Sequence, residues 1–219
     1  EALLLPTEKY QLVCAEDSGY FQGFNKKRLA KFARENNGVI QFLWPGASYL
    51  LAGTPLLKFY SREELPAGKL QDMLMSVDFY HGESLETNPD YGFHQLAEVV
   101  IKALSPGIND PQTAVFSLHA LADLFSYRMH HPPKTIFEDE DGIARVQTME
   151  WSFEQLFEKM IYPIWFYGKS DHFVQNDLLS MVEQLKYLDN TGQFVSLFEK
   201  LRSEIKKEIA ARSIPQSRY

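Results

Sequence analysis

The amino-acid sequence predicts an α+β fold. A small N-terminal β unit, barrel-like or sandwich-like with one inserted helix, is followed by a mainly helical region that a β-hairpin interrupts. Short β-prone segments separated by turn residues fill residues 1–61. Apolar residues recur with a period near 3.6 over residues 62–219, apart from an Asp-Gly turn between extended segments near 134–147. These observations divide the chain into two predicted domains, 1–61 and 62–219.

The β unit begins with a predicted strand at residues 10–15, and an Asp-Ser-Gly turn leads from it into an extended segment at 20–24. Asn25 is a suitable N-cap for a short basic helix, which ends at the Asn-Asn-Gly of residues 36–38. Further strands are expected at 39–44, 49–51 and 55–59. Closely spaced short strands of this kind are typical of small barrels and sandwiches.

Helical periodicity begins after residue 61. A first apolar stripe consists of Leu70, Met73, Leu74 and Val77. A loop at 82–88 leads to Asn88-Pro89-Asp90, which has the cap, the first-turn proline and the acid that start helices. That helix stops at residues 105–107, and Asn109-Asp110-Pro111 starts the next one. Three more helices are predicted, at 151–165, 171–188 and 192–212.

Charge and apolar patterning exclude several classes of protein. The 219 residues contain 22 Lys and Arg against 29 Asp and Glu, a formal net charge of −7. Since neither half of the chain is basic, no nucleic-acid partner is expected. The single cysteine, Cys14, excludes an internal disulfide and suits a reducing compartment. A membrane-spanning helix needs about 20 mostly apolar residues, and the sequence contains no such run.

Metal-binding and nucleophile patterns are weak. The six histidines form no H-E-x-x-H motif, and the acidic segment 138–141 does not place carboxylates at the positions that an EF-hand loop requires. Ser105 has no G-x-S-x-G context, and a set of Ser105, His94 and Asp110 rests only on nearness in sequence. No metal site, cofactor or catalytic residue is therefore predicted.

The densest local pattern is the nine-residue segment 105–113, which ends one helix and starts the next. Its turn residues and free backbone N–H groups permit two interpretations. In the first, the segment lines a ligand or anion site; in the second, its polar side chains cap their own backbone in a rigid connector. The candidate ligand-binding residues of the first interpretation are Ser105, Gly107, Asn109, Asp110, Thr113 and His94.

The segment 91–114 contains the motif A-L-S-P-G-I-N-D-P-x-T-A and closely resembles the signature of an uncharacterised bacterial family of predicted membrane proteins with a domain of unknown function. Residues 18–22 and 45–56 are similar to two further elements of that family. The resemblance implies several N-terminal transmembrane helices followed by a soluble region that holds the motif. At 82–88 a basic E-R-T-x-x-Q-D stretch of the family is replaced by Gly-Glu-Ser-Leu-Glu-Thr-Asn, so an arginine-dependent anion role is not carried over.

The resemblance and the lack of a catalytic pattern predict a soluble, non-enzymatic domain of an integral membrane protein, which acts in ligand sensing, assembly or regulation. The expected partners are its own upstream transmembrane region and a second copy of the chain, in a homo-oligomer. Cys14 favours the cytoplasmic side of the membrane. Because the first residue is Glu1, further residues are expected to precede it. The alternative is an enzyme whose site lies between the loop at 82–88 and segment 105–113.

Overall fold

The computed structural model describes residue 5, residues 7–80 and residues 90–213. Within these residues the chain forms seven helices and eight strands, which confirms the α+β prediction. The chain divides into two compact units. The first unit comprises Glu1–Tyr91 and Pro133–Trp151, and the second comprises Gly92–Pro132 and Ser152–Tyr219. The domain boundary expected at residue 61 stays a prediction.

Eight strands and two helices form the first unit. They are β1 (Tyr10–Cys14), β2 (Gly19–Phe24), α1 (Lys26–Glu35), β3 (Val39–Pro45), β4 (Ser48–Leu50), β5 (Pro55–Tyr60), α2 (Ala67–Leu74), β6 (Val77–Tyr80), β7 (Ile136–Glu138) and β8 (Ala144–Met149). A five-stranded sheet has the order β1-β5-β3-β8-β7, and a three-stranded sheet has the order β4-β2-β6. The predicted hairpin is confirmed as β7 and β8, and it joins the larger sheet because β8 pairs parallel with β3.

The strands form two open sheets. Neither sheet closes into a barrel within the described residues, because β1 and β7 are the edges of one sheet and β4 and β6 are the edges of the other. The structure therefore has two open sheets and lacks, within the described residues, the barrel-like form that the sequence predicted. The prediction that the helix continues through Val77 is also wrong. The helix stops at Leu74, and Val77 starts a strand whose backbone pairs with Phe24.

The core of the first unit lies between the sheets and α1. Phe21 of β2 stacks on Phe42 of β3 with ring centroids 5.0 Å apart, and both side chains are buried together with Leu29 of α1. The predicted N-cap of α1 is confirmed, since Asn25 Oδ1 accepts a hydrogen bond from the Arg28 amide at 3.1 Å. Local capping and shared apolar burial thus fix α1 against the strands.

Five helices form the second unit. They are α3 (Tyr91–Ala103), α4 (Pro111–His130), α5 (Phe153–Gly168), α6 (His172–Leu188) and α7 (Val195–Ser213). Their core contains an aromatic cluster in which Phe125 of α4 lies 4.9 Å from Phe93 of α3 and 5.0 Å from Phe157 of α5, measured between ring centroids. Asn88 and Pro89, expected to start α3, lie outside the described residues. None of the helices in the described ranges combines the length and the apolarity that crossing a bilayer requires.

Candidate functional site

Segment 105–113 connects α3 to α4 through a tight backbone network. The Ser105 carbonyl accepts hydrogen bonds from the amides of Ile108 at 3.0 Å and Asn109 at 2.9 Å, and the Asp110 amide donates to the Ala103 carbonyl at 2.8 Å. Asn109 adopts a left-handed conformation with φ 48°, which asparagine tolerates better than most residues. The backbone groups freed at the end of α3 are thereby satisfied before α4 begins.

The polar side chains of this segment bind its own backbone and one another. Asp110 is the N-cap of α4: its Oδ1 accepts from the Thr113 amide at 3.1 Å, and its Oδ2 accepts from the Thr113 hydroxyl at 2.6 Å. These hydrogen bonds hold the pKa of the Asp110 carboxyl below its ordinary value. The Ser105 hydroxyl donates to the Lys102 carbonyl at 2.7 Å. The contacts are those of the capping interpretation, and a ligand role for the segment stays a prediction.

The candidate ligand-binding residues are only partly grouped. Ser105, Gly107, Asn109, Asp110 and Thr113 lie together in the connector, where Gly107 and Asn109 are exposed. His94 lies near the beginning of α3, roughly 14 Å along the helix axis from its last residue.

His94 is half-buried, and its pKa is lowered mainly by that burial and also by the charge of Lys159 on α5, while Glu98 raises it. Residues 82–88, the other side of the alternative enzymatic site, lie outside the described residues. Among the residues that are described, no three His, Cys, Asp or Glu side chains group closely enough to hold a metal ion.

A second candidate surface lies where α4 packs against α6. We name it the α4/α6 face and define it by its exposed or half-buried residues at helical spacing. These are Phe116, His119, Ala120, Asp123 and Tyr127 of α4 and Phe173, Asp177, Ser180, Gln184 and Tyr187 of α6. Residues three and four apart share one side of a helix, so each set forms a continuous stripe.

The middle of the α4/α6 face is a groove of about 340 Å³, which both polar and apolar side chains line. His119 Nε2 lies 2.9 Å from Asp177 Oδ1 and links the two helices across it. Gln184 donates to the Ser180 hydroxyl at 3.0 Å on one wall. Asp123 also lines the groove. The groove therefore offers hydrogen-bonding groups and few charges, between two stripes that carry aromatic side chains.

Large aromatic side chains project from this face into solvent. Phe116 is 64% exposed, Phe173 is 68% exposed and Tyr187 is 86% exposed. With Tyr127, which is 64% exposed, this face has four exposed aromatic side chains. Phe116 and Phe173 lie near the beginnings of α4 and α6, and Tyr127 and Tyr187 lie near their ends. Exposed aromatic side chains at this density make the α4/α6 face a candidate interaction surface.

The sequence prediction missed the α4/α6 face. The apolar stripe of α4 that is visible in the sequence, with Ala114, Leu118 and Leu121, is its buried side. The signal that could have revealed the face is a second aromatic series on the opposite side of the same helix, at Phe116 and Tyr127.

A family model described as Predicted membrane protein (DUF2254) matches residues 2–184 of the chain. Curated proteins also match. Uncharacterized protein MT1328 of Mycobacterium tuberculosis (strain CDC 1551 / Oshkosh) is 28% identical over 112 residues, which are 49% of this chain and 22% of that protein. Uncharacterized protein Mb1321c of Mycobacterium bovis is 27% identical over 112 residues, with the same two shares. The match thus spans less than a quarter of the length of each relative. No solved structure matches the chain.

Proposed function

The chain belongs to the family described as Predicted membrane protein (DUF2254), and from this membership we propose that it is an assembly domain of a membrane protein, which self-associates through the α4/α6 face. In this proposal the domain is soluble and non-enzymatic, and it lies on the cytoplasmic side. Its own upstream transmembrane region anchors it to the cell membrane. Self-association of the domain then regulates or holds together the membrane part.

The exposed aromatic side chains of the α4/α6 face carry this proposal. Aromatic side chains bury about 150–250 Å² each, so four mainly exposed ones place on the order of 500 Å² of apolar surface in water. A standard interface buries roughly 800 Å² on each partner. These side chains and the groove on the same face therefore supply most of the area that one side of a dimer needs.

The chemistry of the groove fits a second copy of the same face. A two-fold interface brings the same surface together twice, so it must complement itself. The face contains both donors and acceptors, in His119, Ser180 and Gln184, and of its two carboxylates, Asp123 and Asp177, the second contacts His119. A large excess of one charge, which would repel a second copy, is absent from these residues.

The connector 105–113 supports assembly rather than chemistry. Its Ser105, Asp110 and Thr113 side chains are engaged in capping, and this rigid start of α4 positions the stripe that Phe116 begins. The enzyme alternative requires instead that Ser105 or its neighbours act on a substrate. Turnover that a Ser105→Ala variant abolishes would favour that alternative.

Light scattering of the 219-residue chain over a concentration series tests the proposal. We expect a dimer, and we expect the double variant Phe116→Ser, Phe173→Ser to be a monomer at the same concentrations. The matched control is Leu51→Ser in the first unit, where the leucine is 63% exposed, and this variant should remain a dimer. A strictly monomeric native chain, or a double variant that stays dimeric, would overturn the proposal.

A further inference from the structure

Helix α1 concentrates positive charge in a chain that is acidic as a whole. Five of its ten residues are lysine or arginine, and Glu35 is its one acid, whereas the net charge of the chain is −7. The helix buries Leu29, Ala30 and Ala33 against the first unit. Because these apolar residues occupy one side, Lys27, Arg28 and Lys31 are displayed on the other.

Most of these cations have no carboxylate partner. Lys27 and Arg28 are exposed, and no carboxylate in the described part of the chain forms an ion pair with either one. Lys31 lies 3.8 Å from Glu35, in an exposed pair of the kind that adds little stability. Arg34 differs, since it contacts Glu140 at 3.1 Å on the β7–β8 turn.

Two further lysines extend the positive surface at the start of α1. The Lys26 ammonium lies 4.7 Å from the centre of the Phe137 ring, and the Lys134 ammonium lies 5.9 Å from the same centre. Both charges are therefore held beside one aromatic ring of β7. We define the basic face by Lys26, Lys27, Arg28, Lys31 and Lys134.

An apolar side chain projects beside the basic face. A shallow hollow of about 310 Å³ separates α1 from the end of α2, and Arg28 and Lys31 lie on one side of it. Met75 lines the other side and is 81% exposed. Two carboxylates, those of Glu35 and Asp72, also line the hollow, so the excess of positive charge on the basic face comes from Lys26, Lys27 and Lys134.

We propose that the basic face docks on the surface of an anionic bilayer. Its ammonium and guanidinium groups bind lipid phosphates, and Met75 enters the headgroup region beside them. Clustered lysines and arginines with an adjacent exposed apolar side chain have the chemistry that interfacial membrane contacts use. The chain belongs to a family of predicted membrane proteins, so a bilayer surface is an available partner for the basic face.

The acidity of the remaining chain does not prevent this contact. At an ionic strength near 0.15 M, charges are screened over about 8 Å. Acidic residues farther than this from the bilayer contribute little, so the local excess of cations decides the interaction. The basic face belongs to the first unit and the α4/α6 face to the second, so this proposal and the self-association proposed above rest on different residues.

Co-sedimentation of the 219-residue chain with vesicles tests this inference. The probes are vesicles of mixed phosphatidylglycerol and phosphatidylcholine, and vesicles of phosphatidylcholine alone. We expect binding to the anionic vesicles only, and loss of that binding when the salt concentration is raised to several times the physiological level. Each lysine near an anionic surface accounts for about a fivefold change in partitioning.

The double variant Lys27→Gln, Lys31→Gln should therefore bind about 25-fold less well. Its matched control is Lys206→Gln, Lys207→Gln on α7, which removes the same charge from exposed positions and should bind like the native chain. Glutamine is a good helix former, so circular dichroism should show both variants folded.

Equal binding to both vesicle types, or equal binding by the two double variants, would overturn the inference. So would binding to a DNA duplex without binding to vesicles, since nucleic acid would then be the partner of the basic face. Light scattering of the Lys27→Gln, Lys31→Gln variant separates the two proposals, because this variant should retain the dimer of the native chain.

Discussion

Individual polar side chains in the second unit complete helix ends, and Asp110 shows how. Its two carboxylate oxygens take hydrogen bonds from the amide and the hydroxyl of Thr113. A capping carboxylate near a helix N-terminus is stabilised both by these bonds and by the helix dipole. The sequence pattern Asn-Asp-Pro predicted the cap correctly because capping is local and depends on residues three positions apart.

His94 gives the second unit a dependence on pH. Burial and the nearby Lys159 lower the pKa of His94 in the folded chain. In the unfolded chain this pKa has the ordinary histidine value of about 6.5. The folded chain therefore resists protonation that the unfolded chain accepts. The stability that neutral His94 contributes is fully present above about pH 6.5 and is lost as the pH falls towards the folded pKa.

We predict that His94→Gln makes the free energy of unfolding depend less on pH between 7.5 and 5.5. Glu98 raises the pKa of His94, so Glu98→Gln should have the opposite effect and make the loss on acidification larger. Urea denaturation of the native chain and both variants at several pH values measures this. An unchanged pH dependence in His94→Gln would show that His94 is not the group responsible.

Among the secondary-structure elements, the connection from α1 to β3 leaves no space for a side chain at Gly38. The Gly38 amide donates to the Ala33 carbonyl at 2.8 Å, and the Asn37 amide donates to the Arg34 carbonyl at 3.1 Å. With Asn37 at φ 47°, these bonds form the Schellman motif that ends many helices. A Cβ atom on Gly38 would lie 2.3 Å from Phe59 Cζ, so the strand β5 leaves no room for one.

We predict that Gly38→Ala lowers the free energy of unfolding by about 2–3 kcal/mol, because Phe59 must move within a packed core. The matched variant is Gly23→Ala in β2, where a Cβ atom would meet nothing within 4 Å and the loss should be close to zero. Thermal and urea unfolding of the two variants compare them directly. Equal effects would mean that the close approach to Phe59 does not constrain this connection.

The strands near the N-terminus and the β7–β8 hairpin could be predicted because alternation and turn residues are local signals. The pairing of β3 with β8 could not, since the two strands pair at Ile40 and Val146, more than a hundred residues apart in sequence. The same limit explains the error at Val77, whose apolar spacing also suits a helix. Its strand conformation depends on a partner, β2, that no local pattern reveals.

The candidate sites differ in the same way. Segment 105–113 could be found from sequence because its turn and capping residues are contiguous. The α4/α6 face could not, because Phe116 and Phe173 belong to helices far apart in the chain. An aromatic residue on a helix is unusual only when the structure shows that no neighbouring element covers it.

At the scale of the whole molecule, the two units carry different surfaces. The second unit presents the α4/α6 face, with four exposed aromatic side chains and a groove between the two helices. The first unit presents the basic face, with five cations and an exposed methionine. We propose a second copy of the chain as the partner of one surface and lipid phosphates as the partner of the other, and each proposal has its own test.

The measurement that tests self-association most directly is an intermolecular distance across the α4/α6 face. Replacing Cys14, the single cysteine of the chain, by serine allows a spin label to be attached at Ala120→Cys alone. Ala120 is exposed on the same stripe as Phe116, so two copies joined through this face bring their labels close together. Pulsed electron paramagnetic resonance should then detect dipolar coupling between copies, and Phe116→Ser with Phe173→Ser in the labelled chain should abolish it. An absence of coupling at concentrations where the chain is dimeric would contradict the account, because the copies would then associate through a different surface.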